Sequence, residues 1–283
     1  MKNLDPKTIT FDDTSVTVKM MDDSWIINQC LSHSPLVPKS GIIWSHKDCC
    51  GRLLIPGDEY EQTMRYFRNT YGNAAVIAWD SNIALGHIIF VPKSEARERK
   101  MLFHERMPVS PCDDKTLVVQ AVAFCSIGGQ KYRGRGIGRG MTELMIEWAT
   151  VNGWRNIQIY GVPSGLFPGH WMDSCMSPKP FWQKFGFEVF SKTRNEQTWE
   201  QVKAGNLGDD PRNSPEEMAY KKDVIARVEQ GEIPQEDWAY EFDMEKSLTT
   251  HSSERRLRAI AEQGTSSSNS QEARISHING GSQ

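Results

Sequence analysis

Residues 130–149 read QKYRGRGIGRGMTELMIEWA: Gly134, Gly136, Gly138 and Gly140 stand among Arg133, Arg135 and Arg139, and the run leads directly into an amphipathic segment. Glycine tolerates positive φ and lets a ligand approach the main chain. Consecutive N–H groups can therefore converge on an anion, while the following helix adds the positive end of its dipole. Lys131 adds a further cation, and no acidic residue occurs between Asp114 and Glu143, although the whole chain carries a net charge of -3. The stretch reads as a phosphate cradle at the mouth of a helix.

A cradle needs rigid elements on either side. Upstream, 117–127 is a continuous apolar run, expected as a buried strand. Downstream, Ile137, Met141, Leu144, Met145, Trp148 and Val151 form an apolar stripe at helical spacing, Gly153 supplies a stop, and 156–162 reads as another buried strand. Strand, loop, helix and strand make one crossover unit with the anion site at the carboxyl end of a strand. Nearer the N-terminus, 15–20 alternates as a short strand and 24–31 looks helical. Asp58 can cap a helix with Glu61 closing the capping box, and Tyr60, Met64, Phe67 and Tyr71 then recur at helical spacing before Gly72. The runs 74–79 and 83–91, separated by Asp80, Ser81 and Asn82, read as an antiparallel hairpin.

Composition bounds the alternatives. At 283 residues, 38% hydrophobic and 24% charged, the chain can bury a substantial core in one large or two small domains. Its slight net negative charge gives no global attraction to nucleic acid or anionic membrane. The opening MKNLDPKTIT lacks a signal-peptide core, no run approaches the roughly 18 apolar residues of a membrane span, and a cytoplasmic location is expected. Cys30, Cys49, Cys50, Cys112, Cys125 and Cys175 form no C-x-x-C pair, which argues against a disulfide framework. His46 with Cys49 and Cys50 is the one cluster that could be weighed as a metal site; with no matching second pair, no metal is expected.

Three anion-binding or nucleic-acid motifs fail on the loop. Gly129 and Gly134 have Walker A spacing, but Arg135 and Gly136 stand where lysine and a hydroxyl residue are needed. A dinucleotide fingerprint would require a small residue at Arg139. An RGG-type RNA tract would be repeated and disordered, whereas this one is flanked by ordered strand and helix signals.

The loop resembles instead the acyl-CoA site of the GNAT N-acetyltransferase superfamily, whose Q/R-x-x-G-x-G/A signature is matched by Arg133-Gly134-Arg135-Gly136-Ile137-Gly138 between a strand and a helix. The second family signature, an aromatic pair followed by Lys-x-Gly-Phe, is matched by Phe181-Trp182-Gln183-Lys184-Phe185-Gly186-Phe187 and a following strand over 188–191. The hairpin with Gly86 resembles the family's second and third strands, and the alternation of Trp238, Tyr240, Phe242 and Met244 before MEKSL its last strand. The resemblance implies an α/β (α+β) fold: a central mixed, mostly antiparallel sheet with splayed fourth and fifth strands and helices on both faces. It implies a GNAT domain over 1–249, with insertions at 163–180 and 193–236.

It further implies acetyl-CoA as cosubstrate. Ile127 and Gly128 at the end of the fourth strand would meet the pantetheine arm, and Arg133, Gly134, Arg135, Gly136, Ile137 and Gly138 the pyrophosphate. An amine would attack the thioester directly, with no metal. The acceptor is a small-molecule amine or a protein or peptide amine; a catalytically silent CoA-binding sensor of the same fold is the alternative. Where the family has a tyrosine as acid for the departing thiolate, this chain has Trp182, and Gln130 replaces a frequent proline.

The insertion PSGLFPGHWMDSCMSPKP offers His170 or Asp173 as a base, or is a lid packing its own aromatics; Cys125 either faces the cleft or is a small buried thiol. In the second insertion Ser214-Pro215-Glu216-Glu217 starts a helix whose face carries Tyr220, Val224, Ile225 and Val228. That helix would cover the acceptor cleft or a partner subunit, which leaves a homodimer open. Residues 250–283, rich in turn-forming polar residues, are expected to be disordered.

Overall fold

The computed structural model describes residues 4–23, 57–98, 117–126, 130–132, 134–161, 179–194, 200, 203, 215–234 and 240–248. Eight strands form one sheet: β1 (Lys7–Phe11), β2 (Thr14–Met20), β3 (Ala75–Asp80), β4 (Ile83–Pro92), β5 (Val118–Ser126), β6 (Asn156–Gly161), β7 (Glu188–Arg194) and β8 (Tyr240–Ser247). Their spatial order is β1-β2-β3-β4-β5-β6-β8-β7. Every neighbouring pair is antiparallel except β5 with β6. The mixed, mostly antiparallel sheet expected from the resemblance is therefore the observed one. The helices are α1 (Gly57–Tyr71), α2 (Lys93–Glu98), α3 (Ile137–Val151), α4 (Lys179–Gln183) and α5 (Pro215–Glu229), with a 3-10 turn at Gln130–Tyr132.

The strand β1 is absent from the reading of the sequence above, although KTITF alternates and is followed by the turn residues Asp12 and Asp13. Phe11 pairs with Thr14 and Asp80 with Ile83, so both hairpins close through two residues, and their tips contain left-handed residues, Asp12 (φ 48) and Ser81 (φ 53). Such turns match the right-handed twist of the strands they join. The helix α1 begins at Gly57, which puts Asp58 in its first turn, and the Glu61 carboxylate accepts from Arg65 one turn on. α5 starts at Pro215 and buries Val224, Ile225 and Val228, with Tyr220 half exposed.

The core lies between α3 and one sheet face. Ile137, Met141, Leu144, Met145 and Trp148 meet Val16, Val18, Val76, Ala78, Val119, Ala121, Ile157 and Ile159. A Cβ on Gly140 would lie 2.8 Å from Ile9 Cδ1, so the missing side chain lets α3 lie close on β1. The opposite face is also covered, because Ala75, Ile77, Ile89 and Val118 are buried as well. Among the described residues no helix is long and apolar enough to cross a membrane. The segment 24–31, His46 with Cys49 and Cys50, and the tail 250–283 lie outside the described residues.

Candidate active site

The strands β5 and β6 pair only over Val118–Gln120 and Asn156–Gln158. Beyond that point each stays with its other neighbour: β5 remains on β4 as far as Ser126, and β6 on β8 as far as Gly161. From Ala121 to Ser126 the edge of β5 that faces β6 has no strand partner among the described residues. Unpaired edge N–H and C=O groups are a template for any extended chain of amides. The sheet is split into two arms, and the split opens toward the carboxyl end of β5, where the glycine-rich loop begins.

A bulge aims the arm. Ile89 faces Ala123 and Phe90 faces Ala121, so Val122 is left over and the alternation of β5 shifts by one. Phe124 thereby joins the α3 face and touches Phe181 at 5.5 Å and Trp182 at 5.6 Å between ring centres. Phe187 stacks its edge on Trp182 at 5.4 Å. Trp182 is fully buried in this aromatic cluster.

The loop presents bare backbone. Gly134 has φ +70 and Gly136 φ +85, and a Cβ at either would meet nothing within 4 Å, so both are glycines for conformation rather than for space. Gly136 is the N-cap of α3; no side chain caps the helix, and its first turn has no acidic residue. The opening N–H groups of α3 therefore keep their donors and the helix its positive pole. Gly138 serves another purpose: a Cβ there would lie 3.1 Å from Phe124 Cζ, so its absence lets the helix start close to β5. Ile137 turns its side chain into the core and can offer only its backbone. Ile127, Gly128 and Arg133, and the candidates His170 and Asp173, lie outside the described residues, as does the side chain of Cys125.

Two carboxylates from distant sequence reach the loop. Asp12 on the β1–β2 turn accepts from Arg135 at 2.9 Å, and Arg135 also lies over the Phe11 ring at 5.4 Å. Asp80 at the β3–β4 turn accepts a 2.7 Å hydrogen bond from the Tyr132 hydroxyl, and Lys131 approaches the same carboxylate at 3.9 Å. Burial first, then the Asp80 carboxylate, push the Tyr132 hydroxyl up to about 12, so it stays a donor throughout the neutral range. The acid-free window seen along the chain thus hides two acids supplied by the fold.

Gln120 and Gln158, the last pair before the strands part, are both buried and were not singled out from the sequence. Alternation puts them on the face opposite α3. The Gln158 amide donates to Glu245 at 2.6 Å, while the side-chain oxygens of both glutamines have no partner among the described residues. A lone glutamine in each of two apolar strands, VVQAVAF and NIQIY, was the available signal. Buried amide oxygens without partners are uncommon and favour a donor arriving from elsewhere.

Strand order, the parting of β5 from β6 and the glycine-rich loop at the open end are the arrangement that the resemblance to the GNAT N-acetyltransferase superfamily implies. The sequence matches no protein-family model and no curated protein. Among solved structures the chain is similar to the acetyltransferase of GNAT family from Streptococcus pneumoniae, at 11% identity and TM-score 0.42 over 83% of this chain and 99% of that one. It is similar to yncA from Salmonella typhimurium, solved with its cofactor acetyl-CoA, at 13% identity and TM-score 0.41 over 83% and 95%. An N-acetyltransferase from Staphylococcus aureus aligns at 11% identity and TM-score 0.40 over 83% and 99%. Among the described residues no cluster of three His, Cys, Asp or Glu side chains could hold a metal.

Proposed function

We propose that the chain is an N-acetyltransferase that moves the acetyl group of acetyl-CoA to a primary amine by direct attack. The observation that carries this reading is the split between β5 and β6, opening onto an uncapped helix N-terminus. The free edge of β5 suits the amides of a pantetheine arm, and the bare N–H groups around Gly134, Gly136 and Gly138 suit the pyrophosphate. The thioester carbonyl would then lie along β5, beside the point where the two strands part.

The amine nitrogen forms a bond to the thioester carbon, the C–S bond breaks, and the electron pair leaves with sulfur. The proton lost by nitrogen balances the thiolate as free CoA thiol and amide form. Most of the rate gain comes from holding the two reactants together. Buried Trp182 cannot supply an acidic proton, and a thiolate whose conjugate acid has a pKa of about 8.5 is a tolerable leaving group without one. That same burial favours the second reading, a CoA-binding sensor without turnover. A thiol-release assay with acetyl-CoA and a broad panel of small amines and lysine peptides separates the two. Amine-dependent release supports the transferase; binding without release from any amine supports the sensor.

A further inference from the structure

We propose that Asp80 is a positioning residue for the anion-binding loop, acting through the Tyr132 hydroxyl to hold the loop in its receptive shape before any ligand arrives. The inference rests on the reading that this loop takes the CoA pyrophosphate, and it deepens that reading.

The argument begins with where the carboxylate sits. Asp80 is the last residue of β3 and pairs with Ile83 across a two-residue turn, while Val16 of β2 pairs with it on the other side. Its backbone is therefore fixed within the sheet from both flanks. Among its described residues the loop has no comparable fixture within a strand: Gln130–Tyr132 makes one 3-10 turn, and Gly134 and Gly136 are exposed glycines whose left-handed backbone is only one of several states they can adopt. Tyr132 joins the two, with its ring edge-on to Phe11 at 6.2 Å and its hydroxyl 2.7 Å from Asp80 Oδ2. A hydrogen bond to a carboxylate is among the stronger neutral-to-charged contacts, and this one is partly buried.

The Arg135–Asp12 pair runs parallel to it from the neighbouring turn, but that pair is largely exposed and weak by comparison. Both turns stand at the end of the sheet where β5 finishes, since Gly86 near the start of β4 pairs with Ser126. The two-residue hairpin tips thus act as fixed posts, and the loop is strung between them. Ordering a glycine-rich loop costs affinity if it happens on binding; a loop ordered beforehand avoids that cost.

The test uses the full chain with Tyr132→Phe, Asp80→Ala, the double variant and Asp80→Asn, whose amide oxygen can still accept from the hydroxyl. Calorimetry gives Kd for CoA and for pantetheine, which lacks the pyrophosphate, and hydrogen exchange follows the amides of 134–136 in the ligand-free protein. Tyr132→Phe and Asp80→Ala are each expected to raise the CoA Kd by about tenfold or more, as for loss of one charge-assisted hydrogen bond. The double variant should be no worse than Asp80→Ala alone, because that change already removes the Tyr132 contact together with the weaker approach of Lys131. Asp80→Asn, which keeps an acceptor for the hydroxyl but loses the charge, should fall between wild type and Asp80→Ala, pantetheine binding should not change, and exchange of the loop amides should quicken in the two weakened variants.

Unchanged CoA affinity, additive losses, equal losses for CoA and pantetheine, or unchanged exchange in folded Tyr132→Phe would each overturn the inference. A wild-type protein that binds no CoA would overturn the cofactor reading instead, and the exchange result on ligand-free protein would still decide whether Asp80 orders the loop.

Discussion

An indole enclosed by Phe124, Phe181 and Phe187 works through its volume and shape. Trp182→Ala should therefore lower stability by about 3–5 kcal/mol, the usual cost of emptying a large aromatic site, as read by equilibrium denaturation. Trp182→Tyr should lose stability and leave turnover unchanged; a gain in turnover with no loss of stability would put the side chain at the reacting sulfur. Tyr132 makes a pH-dependent contribution. Its hydroxyl is raised from 10.0 to about 12 in the folded chain, so the stability it adds is complete below pH 10 and is lost as pH rises toward 12. The advantage of wild type over Tyr132→Phe in denaturation experiments should shrink across that window, and a constant difference would contradict the assignment.

At the scale of elements, the loop and the start of α3 depend on backbone that only glycine adopts easily. Gly136 sits at φ +85 in open space, so Gly136→Ala meets no clash and should cost only the conformational penalty of about 1–2 kcal/mol. Gly136→Val adds a branched Cβ that resists the left-handed region. Calorimetry should find it folded but unable to bind acetyl-CoA; normal binding by the valine variant would move the pyrophosphate elsewhere. The strand, loop and helix around this position were legible in the sequence because each is a local pattern: an apolar run, alternating glycines, a stripe at helical spacing. The acids that meet the loop were not, because Asp12 and Asp80 lie 123 and 52 residues from their partners and only the sheet brings them together. The short strand β1 went unread for a related reason, since five alternating residues are a weak signal until β2 pairs with them. Likewise nothing local marks the bulge at Val122, which turns Phe124 toward α3.

At the scale of the molecule, the sheet parts after Gln120 and Gln158, and the proposed cosubstrate would lie in that division. A ligand lying between the two arms and on the helix N-terminus touches both halves of the sheet, so binding should stabilise the whole chain rather than one loop. Linkage gives about 2.7 kcal/mol at a ligand concentration a hundredfold above Kd, which corresponds to a rise in Tm of roughly 5–10 °C for a domain of this size. The most direct measurement is therefore thermal unfolding with and without saturating acetyl-CoA, beside ATP and NAD at the same concentration. The account predicts a rise of that order with acetyl-CoA and none with the other two. No shift with acetyl-CoA or longer acyl-CoAs, together with a clear shift from ATP or NAD, would contradict it.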